Sequence, residues 1–314
     1  MGSVIEKYNL LEKIDVVTIA FEGDARLMVL QILSIDRLLD LGKVNSYVII
    51  LNGQDNTALR SFLISQTSYR ISQDLSEKMV FVDGADVASN QESDGWRSQQ
   101  LLKLTIARYL KSEYYLLLDA KNHFIHHSRV EDFFYDGLPI TTIGPTNQGW
   151  LPYVRNSLNI FGVTSEKAIV ESPPTVTPYL MVRSYVLGLL TKVEEDFGTN
   201  FSNVFNSKIH EKTTEFFMYY GYIASLGGPY PYANRPSIGR TLYTKWPQDP
   251  RRVISTIEEM RSKEALIFGL HRLRLAQLTG QQREAIMSLW AMHLLRAEES
   301  SDWFLEDSNM MIVA

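Results

Sequence analysis

The sequence predicts an α/β fold: a Rossmann-type, mostly parallel sheet flanked by helices, leading into a helical and loop-rich C-terminal part. Three observations predict it. In the first half, apolar runs of strand length alternate with amphipathic helical stretches across short turns, the pattern of βαβ units with right-handed crossovers. The run Tyr114-Tyr115-Leu116-Leu117-Leu118 has no internal breaker and stops abruptly at Asp119, as a buried parallel strand does when its carboxyl end opens into a crevice. The 314 residues are 45% hydrophobic and 21% charged, which gives ample apolar material for a core. Asp119 therefore stands where open α/β sheets bind ligands; as a turn residue or helix cap it would need none.

The elements can be read in order. Ile14 to Phe21 is the first strand, and Glu22-Gly23-Asp24 is a turn whose Asp24 can cap the next helix. That helix carries Leu27, Leu30, Leu33 and Leu38 among Met28, Ile32 and Ile35, and ends near Leu41-Gly42. Ser46 to Leu51 is a strand closed by Asn52-Gly53, followed by a helix around Ala58 to Ser65 and a short strand at Met79 to Val82. The helix opening at Gly95 places Leu102, Ile106, Tyr109 and Leu110 on its buried side, with Gln99 and Lys103 together on another face.

The second half is less regular. Trp150 to Phe161, Tyr185 to Phe197 and Lys212 to Leu226 read as helices, and Glu171 to Pro178 as a stiff extended loop. Gly227 to Pro247 is a long Gly-, Pro- and Tyr-rich loop able to cover a site. Helices at Pro250 to Lys263 and Gln281 to Arg296 surround the segment Leu266 to His271. The tail from Ala297 is acidic and expected to fray.

Composition excludes several functions. A net charge of −5 offers no general attraction to nucleic acid. The absence of cysteine removes disulfides, thiolate nucleophiles and thiolate metal sites. Neither a G-x-G-x-x-G after the first strand nor a P-loop occurs, which argues against a dehydrogenase and an NTPase. The N-terminus lacks a signal-peptide core and no apolar run reaches membrane-spanning length, so a cytoplasmic protein is expected. The stripe Ile286, Leu289, Trp290, His293 and Leu294 reads as core or as a homodimer face, and Arg283 and Arg296 keep peripheral attachment to the inner membrane open.

Gly95-Trp96-x-x-Gln99-Gln100-Leu101-Leu102-Lys103-Leu104, taken with Tyr115-Leu116-Leu117-Leu118-Asp119-Ala120, resembles bacterial glycosyltransferases of the GT-A type associated with surface-polysaccharide synthesis. Thr213 to Tyr220 resembles their segment holding the catalytic carboxylate, and Phe268 to Arg272 the segment holding a late histidine. The resemblance implies a nucleotide-sugar donor, a glycan acceptor and an inverting transfer. It implies residues 1–145 as the donor-binding half, 146–300 as the acceptor-binding and catalytic half, and 301–314 as an acidic tail. Thr18, Asp24, Gln99, Gln100, Lys103, Lys121, Asn122, His271 and Arg272 would bind the donor, while Asp119 and Glu215 would be catalytic.

Glycosyl transfer needs the leaving phosphate neutralised and the acceptor hydroxyl deprotonated. Glu215, among Phe216, Phe217, Tyr219 and Tyr220, suits a base whose pKa burial would raise; paired with Lys212 on a helix surface it would be ordinary. In the family's Asp-x-Asp motif two carboxylates hold a divalent ion, but the third position here is Lys121. If the enzyme uses Mg²⁺ or Mn²⁺, Asp119 and His271 are the ligands, with Asn122 and His123 as further candidates. If not, Lys121 with Arg272 or Arg274 neutralises the phosphate. Trp150, Tyr153, Tyr179, Tyr230, Tyr232, Tyr243 and Trp246 are candidate sugar faces or ordinary core aromatics. The altered motif also fits a degenerate protein that binds a nucleotide sugar without turnover. A nucleotidyltransferase would need a Gly-rich phosphate loop after the first strand, which is missing.

Overall fold

The computed structural model describes residues 13–88, 95–207, 212–262 and 265–306. β1 (Ile14–Ala20) is buried along its whole length. α1 (Ala25–Leu38) is apolar nearly all round and is sunk in the core accordingly. β2 (Val44–Leu51), α2 (Asn56–Thr67), α3 (Gln73–Lys78) and β3 (Met79–Asp83) follow. Asp55 and Ser72 start the two helices by accepting the amides of Ala58 and Leu75. α3 is too short to show a period, which is why pattern alone does not reveal it.

α4 (Gly95–Thr105) leads to β4 (Tyr114–Asp119), and β5 (Asn122–Phe124) begins just beyond it. β6 (Phe134–Tyr135) and β7 (Leu138–Thr141) form a hairpin across Asp136 and Gly137, both at positive φ as its two-residue turn requires. Then come α5 (Leu151–Ile160), β8 (Tyr179–Val182), α6 (Arg183–Phe197) and α7 (Glu215–Ser225). β9 (Gly239–Leu242), α8 (Pro250–Glu259), β10 (Ile267–Leu270) and α9 (Gly280–His293) complete the order.

The central sheet has five strands in the order β8-β4-β1-β2-β3. It is mostly parallel and flanked by helices, as the sequence predicts. β8 is its antiparallel member, with Tyr179 opposite Leu117 and Val182 opposite Tyr114. A three-stranded sheet in the order β9-β10-β5 pairs β10 parallel to β9 and antiparallel to β5. Gly269 lies at that junction, where a Cβ would collide with Thr241 and crowd Asn122.

Two compact units are each threaded from three segments. One comprises Met1–Asp15, Val82–Leu117 and Phe133–Pro236; the other comprises Val16–Phe81, Leu118–Asp132 and Ser237–Ala314. This division differs from the expected halves 1–145 and 146–300. The reason lies within the second unit, where β10 returns from far along the chain to pair with β5.

Three local expectations are corrected. Tyr109 is 60% exposed rather than buried, because α4 tightens into a 3₁₀ turn at Ile106–Arg108 and breaks the helical period. The stretch Gly227 to Pro247 is not all loop: Ala233–Asn234 pairs with β7, and β9 lies beyond it. The tail does not fray at Ala297. Phe304 and Leu305 are buried, and Glu299 bonds both Arg37 and Arg70; residues 307–314 lie outside the described ones.

In α9, Ile286, Leu289 and Trp290 are buried, so that stripe is core. Among the described residues no helix is long and apolar enough to cross a membrane.

Candidate active site

In the second unit, charged groups collect where β4 ends and where β10 gives way to the short helix Arg272–Leu275. Lys121 pairs with the Asp119 carboxylate. Arg272 lies over the Phe21 ring at 5.0 Å and points Nε to the Asp24 carboxylate at 3.7 Å. The β5–β10 pairing brings the ends together: the Leu270 amide donates to the Lys121 carbonyl at 3.0 Å, and His271 follows directly.

Asp24 occupies the position that begins α1, but its side chain makes no capping hydrogen bond. Its carboxylate faces Arg272 instead, so the cap expectation is corrected. Burial pushes the Asp24 carboxyl up to about 7, and neighbouring Asp119 adds to this, against the opposing pull of Arg272 and Lys121. The folded state therefore holds a proton that the unfolded chain releases near pH 4, and stability contributed below that pH is lost as pH rises toward 7. Asp24→Asn should remove this slope and gain about 1–2 kcal/mol above pH 7. Urea unfolding at pH 5 and pH 8 checks it, and an unchanged pH slope in the variant would refute the assignment.

His271 caps the short helix that follows it. The Leu273 amide donates to Nδ1 at 3.2 Å, and the Thr244 hydroxyl lies 3.0 Å from the same nitrogen. Burial, then Lys121 and Arg272, lower the imidazole to about 4, so it is neutral at pH 7. A backbone N–H can only donate, so Nδ1 is the acceptor and the proton sits on Nε2. His271 thus presents an N–H, suited to an oxygen acceptor and unsuited to a cation.

With Asp119 held by Lys121, the pair Asp119 and His271 does not fit Mg²⁺ or Mn²⁺, hard ions that seek several oxygen ligands. Among the described residues no group of three or more His, Asp or Glu is placed to hold a metal ion.

Four other expected residues are structural. Thr18 is fully buried and donates to Gln31 at 2.7 Å. Asn122 is fully buried, and its Oδ1 accepts the Asp119 amide at 2.9 Å, shaping the turn after β4. His123 accepts from the Trp290 indole at 2.8 Å, and burial lowers its imidazole to about 3, which makes it a neutral core residue. Arg274 donates to the Pro247 carbonyl at 2.8 Å and holds the turn carrying Trp246.

The first unit holds the rest. Glu215 opens α7 behind Thr214, whose hydroxyl accepts the Phe217 amide at 3.2 Å. A carboxylate in a first helical turn is favoured by the helix dipole. Glu215 is 4% exposed and bonds Lys103 at 3.1 Å, which sets aside the alternative of a surface pair with Lys212. Lys103 is 6% exposed and lies 5.5 Å from the Phe216 ring centre. The expected donor contact and the expected base are thus one buried ion pair. Gln99 is partly buried; Gln100 is buried, with neither atom of its amide hydrogen-bonded among the described residues.

The aromatics Tyr179, Tyr230 and Tyr232 join Tyr219 in a packed cluster. Tyr219 and Tyr232 hydroxyls meet at 2.8 Å, Tyr179 and Tyr230 at 3.2 Å, and Tyr232 donates to the Leu180 carbonyl at 2.9 Å. Tyr179 and Tyr232 are buried core, while Tyr230 and Trp150 are partly buried and pack against it, Trp150 on the Phe217 ring. Trp246, in the second unit, stays 60% exposed.

Sequence reading missed Gln31 and Ser34, two polar residues fully buried in the middle of α1. Their spacing of three inside an apolar helix is the signal that could have found them.

Similarities to known proteins are distant. The chain aligns with a solved structure of the galactosyltransferase LgtC in complex with donor and acceptor sugar analogues at 11% identity, over 92% of this chain and 99% of that one, with a TM-score of 0.47. It aligns with the bifunctional glycosyltransferase WbbM at 12% identity over 82% of this chain, spanning 45% of that one, with a TM-score of 0.45. No curated protein matches the sequence. A family model does match residues 15–227, and the chain belongs to that family, described as a family of unknown function, DUF6492.

Proposed function

We propose that this protein is a GT-A-like glycosyltransferase that moves a sugar from a nucleotide-sugar donor to a glycan acceptor, with inversion, in bacterial surface-polysaccharide synthesis. The observation that carries the reading is the group at the end of β4, where Lys121, Arg272 and the Nε2–H of His271 supply positive or donating groups beside two carboxylates. Such groups stabilise a departing phosphate without a divalent ion. Glu215 is the base that the sequence resemblance names. The acidic partner matters too: Asp119 holds Lys121 in place until an anion takes over part of its charge.

Calorimetry with UDP, GDP, CMP and dTDP, each with and without EDTA, tests the reading. One nucleotide should bind, its binding should survive EDTA, and Lys121→Ala should weaken it about 10–100-fold while sparing the nucleoside. Binding that collapses in EDTA and returns with Mn²⁺ would overturn the metal-free reading. Failure of all four nucleotides would overturn the donor assignment.

A second reading is favoured by one observation. The Glu215 carboxylate is already engaged in a buried ion pair with Lys103, as expected of a protein that binds a nucleotide sugar without transferring it. Release of free nucleotide from a bound donor separates the two.

A further inference from the structure

The turn that carries Asp119 and Lys121 is held from behind by one amide. Gln31, fully buried on α1, donates through Nε2 to the carbonyls of Asp119 at 2.8 Å and Asn122 at 2.7 Å. Its Oε1 accepts the hydroxyls of Thr18 on β1 at 2.7 Å and Tyr47 on β2 at 2.6 Å. Both N–H groups and both lone pairs are used, so the amide is saturated.

Its orientation is also fixed. The two hydroxyls could rotate to accept, but the two carbonyls can only accept, so the NH₂ must face the turn. One helical turn on, Ser34 continues the arrangement by accepting the Phe124 amide at 3.0 Å and donating to the Gln31 carbonyl at 2.7 Å. A saturated network of this kind, sealed from water, rigidifies what it touches.

We propose that Gln31 is a positioning residue. It sets the backbone of the Asp119–Asn122 turn and thereby aims Lys121 and the Asp119 carboxylate at the anion. The role of the turn in ligand binding rests on the proposed function; the mechanical role of Gln31 does not.

Gln31 has two sides that can be cut separately. Gln31→Glu keeps an acceptor for Thr18 and Tyr47 but sets a carboxylate oxygen against the turn carbonyls. Tyr47→Phe removes a donor on the far side and leaves the bonds to the turn. Two readouts are taken on the full chain: backbone amide exchange at residues 119–122, and affinity for the nucleoside diphosphate that binds best, compared with its nucleoside.

Gln31→Glu should speed exchange at the turn at least tenfold and weaken the diphosphate at least tenfold, with the nucleoside spared. Tyr47→Phe should lower overall stability while leaving turn exchange and diphosphate affinity within about twofold; Gln31→Glu loses two bonds to the turn, each worth up to about a factor of ten. If Gln31→Glu does not fold, Gln31→Met, of similar length and uncharged, takes its place with the same expectation.

Unchanged turn exchange in the Gln31 variant, or equal loosening by Tyr47→Phe, would overturn the proposal. If the unaltered protein binds no nucleotide, the functional reading fails while the exchange readout still decides the role of Gln31.

Discussion

Glu215→Gln is expected to lower turnover about 10²–10⁴-fold with donor affinity nearly unchanged, the signature of a lost general base. The buried partner complicates the experiment. Removing the carboxylate's charge leaves the Lys103 ammonium in an apolar setting, and breaking a buried pair costs about 3–5 kcal/mol. Turnover must therefore be expressed per folded molecule.

A paired replacement, Lys103→Met with Glu215→Leu, supplies the control. It removes both charges at similar volume, so stability should return close to that of the unaltered protein while activity stays absent. Full activity in the paired variant would end the case for Glu215 as base.

Glu299→Gln is expected to lose a comparable amount of stability, about 3–5 kcal/mol by urea unfolding at pH 7. Glu299 accepts from Arg37 at 2.6 and 2.8 Å, from Arg70 at 2.8 and 2.9 Å, and from the Arg296 amide at 2.8 Å. Burial alone would raise its carboxyl, but these donors outweigh it and hold the group at about 2. The stabilisation is fully present above the usual glutamate range and drains away as pH falls from about 4.5 toward 2. The variant should lack that acid-side loss. A change below about 1 kcal/mol would mean that the segment around Glu299 is only loosely attached.

The fold was legible because its signals are local. The apolar runs of β1, β2 and β4, and the broad apolar face of α1, read correctly within a few residues. The elements that escaped lack a local signal: α3 is too short to show a period, and the β9–β10–β5 sheet depends on partners far apart in the chain.

For the site, residue types named some side chains that fall in one compact unit and others that are buried in hydrogen bonds of the core. Asp119, Lys121, His271 and Arg272 do belong to one unit, and the group around them also includes Asp24. Thr18 and Asn122 look like ligand contacts only until their hydrogen bonds to Gln31 and the Asp119 amide are known. The acidic tail reads as solvated because Arg37 and Arg70, which neutralise Glu299, precede it by more than two hundred residues. Burial and pairing of that kind are set by tertiary contact, and no window along the chain contains them.

The threading of the second unit has a consequence during synthesis. Its middle segment, Leu118–Asp132, carries β5, but the strand that β5 pairs with lies in Ser237–Ala314. A ribosome-bound chain that has emerged only as far as α7 exposes an unpaired strand edge at β5 and lacks Glu299 to neutralise Arg37 and Arg70. Unpaired edges and exposed apolar faces are what chaperones hold and what aggregates. Completion of this unit must therefore follow translation at least through Glu299. A chain truncated just after α7, near the limit of the family match at residue 227, would be left with an open sheet instead of a shorter functional protein.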